Sequence, residues 1–390
     1  MSLPSLRAFR ERANFDAAPH SGDSTGVLKM PAKLIGMIGV EPPSTSALHI
    51  IAGGNISPDY VTEFSRAHED AGFDSVLVGY NTASAEGFNV AAYAAAHTKN
   101  LAFLIAHRPG VVAPTFAARA AATFDHFSGG RIALHIISGL SDAEMAAEGD
   151  FSTKELRYHR AAEYLDIMRK IWTSSERFDY DGEFYKLKGA YSAVKPLQNP
   201  HVPLFFGGSS TGALEMGAKH CDVYAVYGEP LKETSDVIAD FRKRAAEFGR
   251  TPKFNISFRP VIADTEDEAW EKALKIQNDL IAQNLPKEAR DRSAQRMLDA
   301  ASRSDIHDER LWMGAARVSG ARGNSSCLVG TPRQVAEAML KYYRLGIESF
   351  LIRGFDPVND TKEFGKELIP LLKEGALQVD REKSSEKVEA

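Results

Sequence analysis

LAFLIAHRPGVVAPTFAARAAATFDHFSGGRIALHIISG, residues 101–139, reads as a strand, a helix and a second strand. An apolar run ends at His107, an alanine-rich helical pattern follows Pro114, and RIALHIIS opens the next apolar run. This alternation argues for a parallel sheet built from βα units.

The same unit recurs on both sides. Upstream, KLIGMIGV (33–40) precedes SPDYVTEFSRAHEDAG, and DSVLVGY (74–80) precedes EGFNVAAYAAAHT. Downstream, KELRYHRAAEYLDIMRKIW carries Ala161, Leu165, Met168 and Trp172 on one helical face. The runs at 202–206, 222–227, 253–263 and 347–353 each lead into a further helical pattern. Eight such units predict an α/β chain folded as a (β/α)8 TIM barrel; a doubly wound open sheet has the same alternation, because closure leaves no mark in sequence.

Two interruptions exceed ordinary connections, whose median is roughly 4–6 residues. Residues 174–201 show aromatic alternation around Asp181-Gly182 and predict a β-hairpin before the fifth strand. Residues 284–329 mix charged helix formers with VSGARGNSS and predict a mobile lid between the seventh and eighth strands. The domain reading is an N-terminal extension (1–32), a barrel with these insertions (33–375) and a flexible tail (376–390).

The chain has 390 residues, 25% of them charged, and a net charge of −5, which gives no general electrostatic attraction to nucleic acid. No stretch of about 18 apolar residues marks a membrane span, and the polar N-terminus lacks a secretory core, so a cytoplasmic protein is expected. Cys221 and Cys327 lie far apart without metal-ligand spacing and read as buried thiols. Neither a compact carboxylate cluster nor H-E-x-x-H is found, so no metal is expected.

Barrel active sites lie at the C-terminal strand ends. These carry His107-Arg108, Ser138-Gly139, Gly207-Gly208-Ser209-Ser210, Tyr227-Gly228-Glu229-Pro230 and Arg353-Gly354-Phe355. The two glycines admit close approach, and the serines open a helix whose dipole favours an anion: a phosphate cradle, or a plain capped turn. His107 ends its strand and is the better functional candidate; His135 lies within a strand and could equally be structural. Arg108, Arg259, Arg322 and Arg353, at strand ends or in the lid, suit an anionic substrate, although any one of them could be a rim ion pair. An aldolase or isomerase would need a catalytic lysine or carboxylate at a strand end, and none stands out.

AHRPGVVAPTFAARAAATFDHFSGGRIALHIISG (106–139), Arg157-Tyr158, KPLQNPHVPLFFGGSS (195–210), Tyr227-Gly228-Glu229-Pro230 and LVGTPRQVAEAMLKYYRLGIESFLIRGFDP (328–357) together make the chain resemble the bacterial luciferase-like flavin monooxygenases, in the branch of alkanesulfonate monooxygenase. The resemblance implies a barrel enzyme that uses reduced FMN (FMNH2), delivered by a separate NAD(P)H-dependent flavin reductase, with O2 as co-substrate. It implies cleavage of a C–S bond with release of sulfite and an aldehyde, and a dimer or tetramer. It places Gly208, Ser209, Ser210 and Tyr158 at the FMN phosphate, His107 and Ser138 near the flavin ring and ribityl chain, and Arg322 as the closing arginine. His107, Arg259 and Arg322 are then the catalytic candidates; Tyr227, Ser257, Arg259, Arg322, Arg353 and Phe355 are those for substrate. Ser257-Phe258-Arg259 stands where the branch has Arg-x-His, Phe355 stands where it has a tyrosine, Ser84 stands near an expected cysteine, and Tyr227 replaces a tryptophan. These departures favour a polar sulfonate such as sulfoquinovose. An alkanesulfonate or sulfone monooxygenase and a deazaflavin-dependent dehydrogenase are the alternatives.

Overall fold

The computed structural model describes residues 32–43, 54–139, 141–289 and 291–389, without the side chains of 386–389. The expected N-terminal extension lies outside them except for Ala32.

Eight parallel strands close on themselves: β1 (Lys33–Ile38), β2 (Ser75–Val78), β3 (Ala102–His107), β4 (Ile132–Ile136), β7 (Leu204–Phe206), β8 (Val223–Tyr227), β9 (Lys253–Ile262) and β13 (Ser349–Ile352). Each pairs with the next, and β13 pairs back onto β1 with Leu34 opposite Phe350. The sheet is therefore a (β/α)8 TIM barrel, and all eight predicted strands are present.

Alternate residues fill its two sides. Ile35, Leu104, Ala133, Phe205, Val223 and Leu351 form the interior plug, with Leu77 against it. Phe103, Ile105, Ile132, Leu134 and Phe206 face outward into the larger core beneath the helices. The helices that hold site residues are α2 (Gly87–Ala96), α4 (Asp142–Ala147), α5 (Lys154–Thr173) and α6 (Thr211–His220). The expected hairpin is β5 (Phe178–Asp181) and β6 (Lys186–Ala190); Glu163 of α5 caps its turn by accepting from the amides of Glu183, Phe184 and Tyr185.

Strand β9 runs beyond the barrel. Its first part pairs with β8 and β13, while Arg259 to Ile262 pair with β12 (Cys327–Gly330), the last element of the long insertion. The insertion also contains α9 (Arg292–Arg303), β10 (Ile306–His307), β11 (Leu311–Trp312) and α10 (Gly314–Ser319). Its Gly/Ser/Asn-rich stretch is a packed strap, with Ser319, Asn324, Ser325 and Ser326 all buried. Gly320, Ala321, Gly323 and Asn324 have φ of 62°, 54°, 63° and 47°, so this composition supplies left-handed turns.

Residues from 376 onward continue α13 (Ile369–Glu389), which packs on α11 (Pro332–Leu345). Ala376 and Val379, one helical turn apart, are buried, and Tyr343 donates to Asp380 at 2.8 Å. The charged composition belongs to the solvent face of a docked helix. Among the described residues no helix is long and apolar enough to cross a membrane.

Candidate active site

The turn after β7 has the build of an anion cradle. Ser210 is the N-cap of α6, its hydroxyl accepting from the Ala213 amide at 3.4 Å, and the first amides of a helix have no acceptor within it. A Cβ on Gly207 would come within 2.8 Å of the Ala225 carbonyl, and one on Gly208 within 3.0 Å of Ala213 Cβ. The backbone therefore lies where a side chain would not fit. Tyr224 donates to the Gly208 carbonyl at 2.6 Å. Tyr158 is buried edge-on against Phe206, its ring 3.3 Å from where a Cβ on Gly212 would lie, so it supports the turn from below.

Sequence did not single out the residues by which the insertion reaches this turn. Ser293, in the first turn of α9, brings its hydroxyl 3.1 Å from that of Ser209, across 84 residues of chain. Arg296, one turn on, binds Glu229 at the end of β8 through Nε at 2.9 Å and Nη2 at 2.8 Å. Burial raises the Glu229 pKa, opposed by Arg296.

At the barrel mouth, strand phase decides which candidates meet. Val223 and Leu351 belong to the interior plug, so Tyr227 and Arg353 face inward as well; Ser257 pairs with both Tyr227 and Leu351 and joins them. His135, two residues beyond interior Ala133, also points in. It is half-buried, its Nδ1 is buried without a hydrogen-bond partner among the described residues, and burial lowers its pKa to about 4. His107 faces the other way. Its Nε2 lies 2.9 Å from the Tyr164 hydroxyl on α5, and its ring meets Phe88 of α2 edge-on. The strand-end histidine thus belongs to the barrel–helix layer, and the mid-strand histidine reaches the mouth. Ser138 lies half-buried just past β4.

The four arginines separate in the same manner. Arg108 stacks on the Tyr80 ring at 4.4 Å and pairs with Glu144 at 2.9 Å and with Glu148, which fastens α4 to the rim. Arg322 donates to the carbonyls of Pro286 and Ser319, within the insertion. Arg259, expected to touch substrate, is fully buried and donates to the carbonyls of Gly354, Gly323 and Asn324. Phe355 is buried too, its ring 4.7 Å from that guanidinium.

Arg353 faces inward on the same phase as Leu351 and, unlike Arg259, is only half-buried. Among the described residues it forms no ion pair and its buried Nε has no hydrogen-bond partner; Nη2 donates to the Gly323 carbonyl and Nη1 lies 2.9 Å from the Met37 sulfur. Thioether sulfur is a weak acceptor. Burial lowers the Arg353 pKa to about 10, opposed by nearby Tyr227. A buried guanidinium with spare donors is the expected counterpart of an anionic ligand.

Residues 38–349 match the model for luciferase-like monooxygenases. The chain belongs to the luciferase-like monooxygenase family. Solved structures of the same fold include riboflavin lyase RcaE with modified FMN and riboflavin (19% identity, TM-score 0.71, covering 89% of this chain and 92% of that one). They also include EDTA monooxygenase EmoA from Chelativorans sp. BNC1 (17%, 0.71, 89% and 95%) and long-chain alkane monooxygenase LadA (19%, 0.70, 89% and 92%). At these identities the likeness concerns the fold.

Proposed function

We propose that this luciferase-like protein is a two-component monooxygenase that uses reduced FMN and O2 to cleave the C–S bond of an organosulfonate, releasing sulfite and an aldehyde. The observation that carries the reading is Arg353: an inward cation without a carboxylate partner among the described residues, one strand from Ser257 and near Tyr227.

Gly208, Ser209, Ser210 and the first amides of α6 would hold the FMN phosphate, and Ser138 would lie beside the cofactor. When bound, reduced flavin supplies the electrons that activate O2. The chain's own groups then act on the substrate. Arg353 orients its oxyanion through charge-assisted hydrogen bonds, Tyr227 and Ser257 offer hydroxyls, and neutral His135 is placed to accept or return a proton. These hydroxyls favour a polar sulfonate, of which sulfoquinovose is the preferred example. Reduced flavin would come from a separate NAD(P)H-dependent reductase.

The deciding experiment combines purified protein with flavin reductase, FMN and NAD(P)H and measures sulfite released from sulfoquinovose, octanesulfonate and an aryl sulfonate. Sulfite from sulfoquinovose is expected. Release from octanesulfonate alone would overturn the polar preference, and release from none would overturn the sulfonate reading. A parallel binding titration with FMN and a deazaflavin checks the cofactor.

A further inference from the structure

Strand β9 carries Ser257 and Arg259 on the same face, yet only Ser257 belongs to the mouth. Arg259 is sealed from solvent, and its donors reach Gly354 O at 2.9 Å, Gly323 O at 3.2 Å and, from Nε, Asn324 O at 3.3 Å. The Gly323 carbonyl is also the acceptor for Arg353 Nη2, so two guanidinium groups converge on one oxygen. The left-handed residues on both sides of that glycine turn the strap back towards them. The strap is fastened further by Asn324 Nδ2 donating to Ser257 O at 2.9 Å and by the Arg259 amide donating to Ser326 O at 2.9 Å.

A carbonyl satisfies a donor without cancelling the charge behind it. A ligand oxyanion can do both, and forms the stronger bond. Arg353 can therefore exchange the Gly323 carbonyl for a ligand oxygen, whereas buried Arg259 has no route to the same exchange. We infer that Arg259 is the positioning residue of the anion site: it fixes the Gly323 carbonyl and, through it, the Arg353 guanidinium, without touching substrate. The inference rests on the reading that Arg353 takes the substrate's anionic group.

The test is a double-mutant cycle on Arg259→Lys and Arg353→Met, which separates action through a partner from independent action. Full-length protein saturated with oxidised FMN, which cannot turn over without a reductant, is titrated calorimetrically with butanesulfonate, butanoate and butyl phosphate. R353M should weaken binding of the preferred anion roughly tenfold or more. R259K retains the charge but loses the planar fork, and should weaken binding several-fold. The double variant should bind no more weakly than R353M, with FMN affinity unchanged throughout. An R259K protein that binds like wild type, or losses that multiply in the double variant, would overturn the positioning role. Should R259K fail to fold, Asn324→Ala loosens the strap at its other anchor; it should weaken anion binding in the wild-type background and not in R353M, and the opposite pattern would overturn the role. If wild type binds none of the anions, or R353M binds them like wild type, the anion site itself fails and this inference with it.

Discussion

His107 and His135 lie on neighbouring strands, one rung apart in register, and face opposite sides of the sheet: Ala106 pairs with His135, and His107 with Ile136. Only His135 shares the barrel interior with Tyr227, Ser257 and Arg353. His135→Asn should lower kcat/KM about 100-fold, the range of a lost acid–base group, with FMN affinity within about twofold. His107→Asn should leave kcat near wild type and cost about 1 kcal/mol of stability through the lost Tyr164 hydrogen bond. Steady-state kinetics and urea melts on both variants check the pair; the reverse pattern would exchange their roles.

Acid should unfold this protein through its histidines. Burial lowers the pKa of His68, His107 and His135 to about 4 and that of His220 to about 3, all below the unfolded value of 6.5. Below pH 6.5 the unfolded chain binds protons that the folded chain refuses, so stability falls with decreasing pH until the folded-state values are passed. Each such histidine contributes a slope of up to about 1.4 kcal/mol per pH unit. Denaturant midpoints should be flat above about pH 7 and drop between pH 6 and 4, with a shallower drop in His220→Gln or His68→Gln. Equal slopes in those variants and wild type would contradict the assignment.

The GGSS turn offers a test of space and one of capping. Gly207→Ala would set a methyl 2.8 Å from the Ala225 carbonyl, a backbone atom that cannot rotate away, so the turn must shift. Its FMN dissociation constant, read by flavin fluorescence, should rise about tenfold or more. Ser210→Ala removes the α6 cap and should cost about 1 kcal/mol of stability as well as weakening FMN binding. Ser293→Ala probes the contribution of α9 to the same cradle, and normal FMN affinity there would confine the cradle to the β7–α6 turn.

The barrel was legible because each strand is a short apolar run followed by an amphipathic helix, and this repeats eight times. Which way a strand residue points was not. A strand buried on both faces has no polar alternation to fix its phase, so LAFLIAH and RIALHIIS gave no means of telling inward His135 from outward His107. The conformation of the strap was not legible for a different reason: glycine and asparagine mark loose chain and left-handed turns alike, and Gly320, Gly323 and Asn324 serve the second purpose. Burial of Arg259 on carbonyls depends on chain about 65 residues away, and the Ser209–Ser293 contact on chain 84 residues away. Local pattern carries no information at such separations.

That long-range contact is supported by a buried charge, which gives the last prediction. Glu229 is 3% exposed at the end of β8, and Arg296 of α9 is its partner. Arg296→Met would leave a carboxylate out of water without a counter-charge, and its ionisation would be opposed by burial and by the nearby Glu233 charge. The cost should be about 2 kcal/mol, below the roughly 3–5 kcal/mol of a fully buried pair because Arg296 is itself about a third exposed. Adding Glu229→Gln removes the unpaired charge and should recover more than half of that loss, so the double variant should be more stable than R296M. FMN affinity distinguishes the two consequences. If α9 is held over the Gly207–Ser210 turn by this pair, R296M should weaken FMN binding, and Glu229→Gln should not restore it, because the tether is still broken. Urea melts and FMN titrations on the three proteins separate charge from tether; a double variant with normal FMN affinity would show that α9 stays in place without the pair.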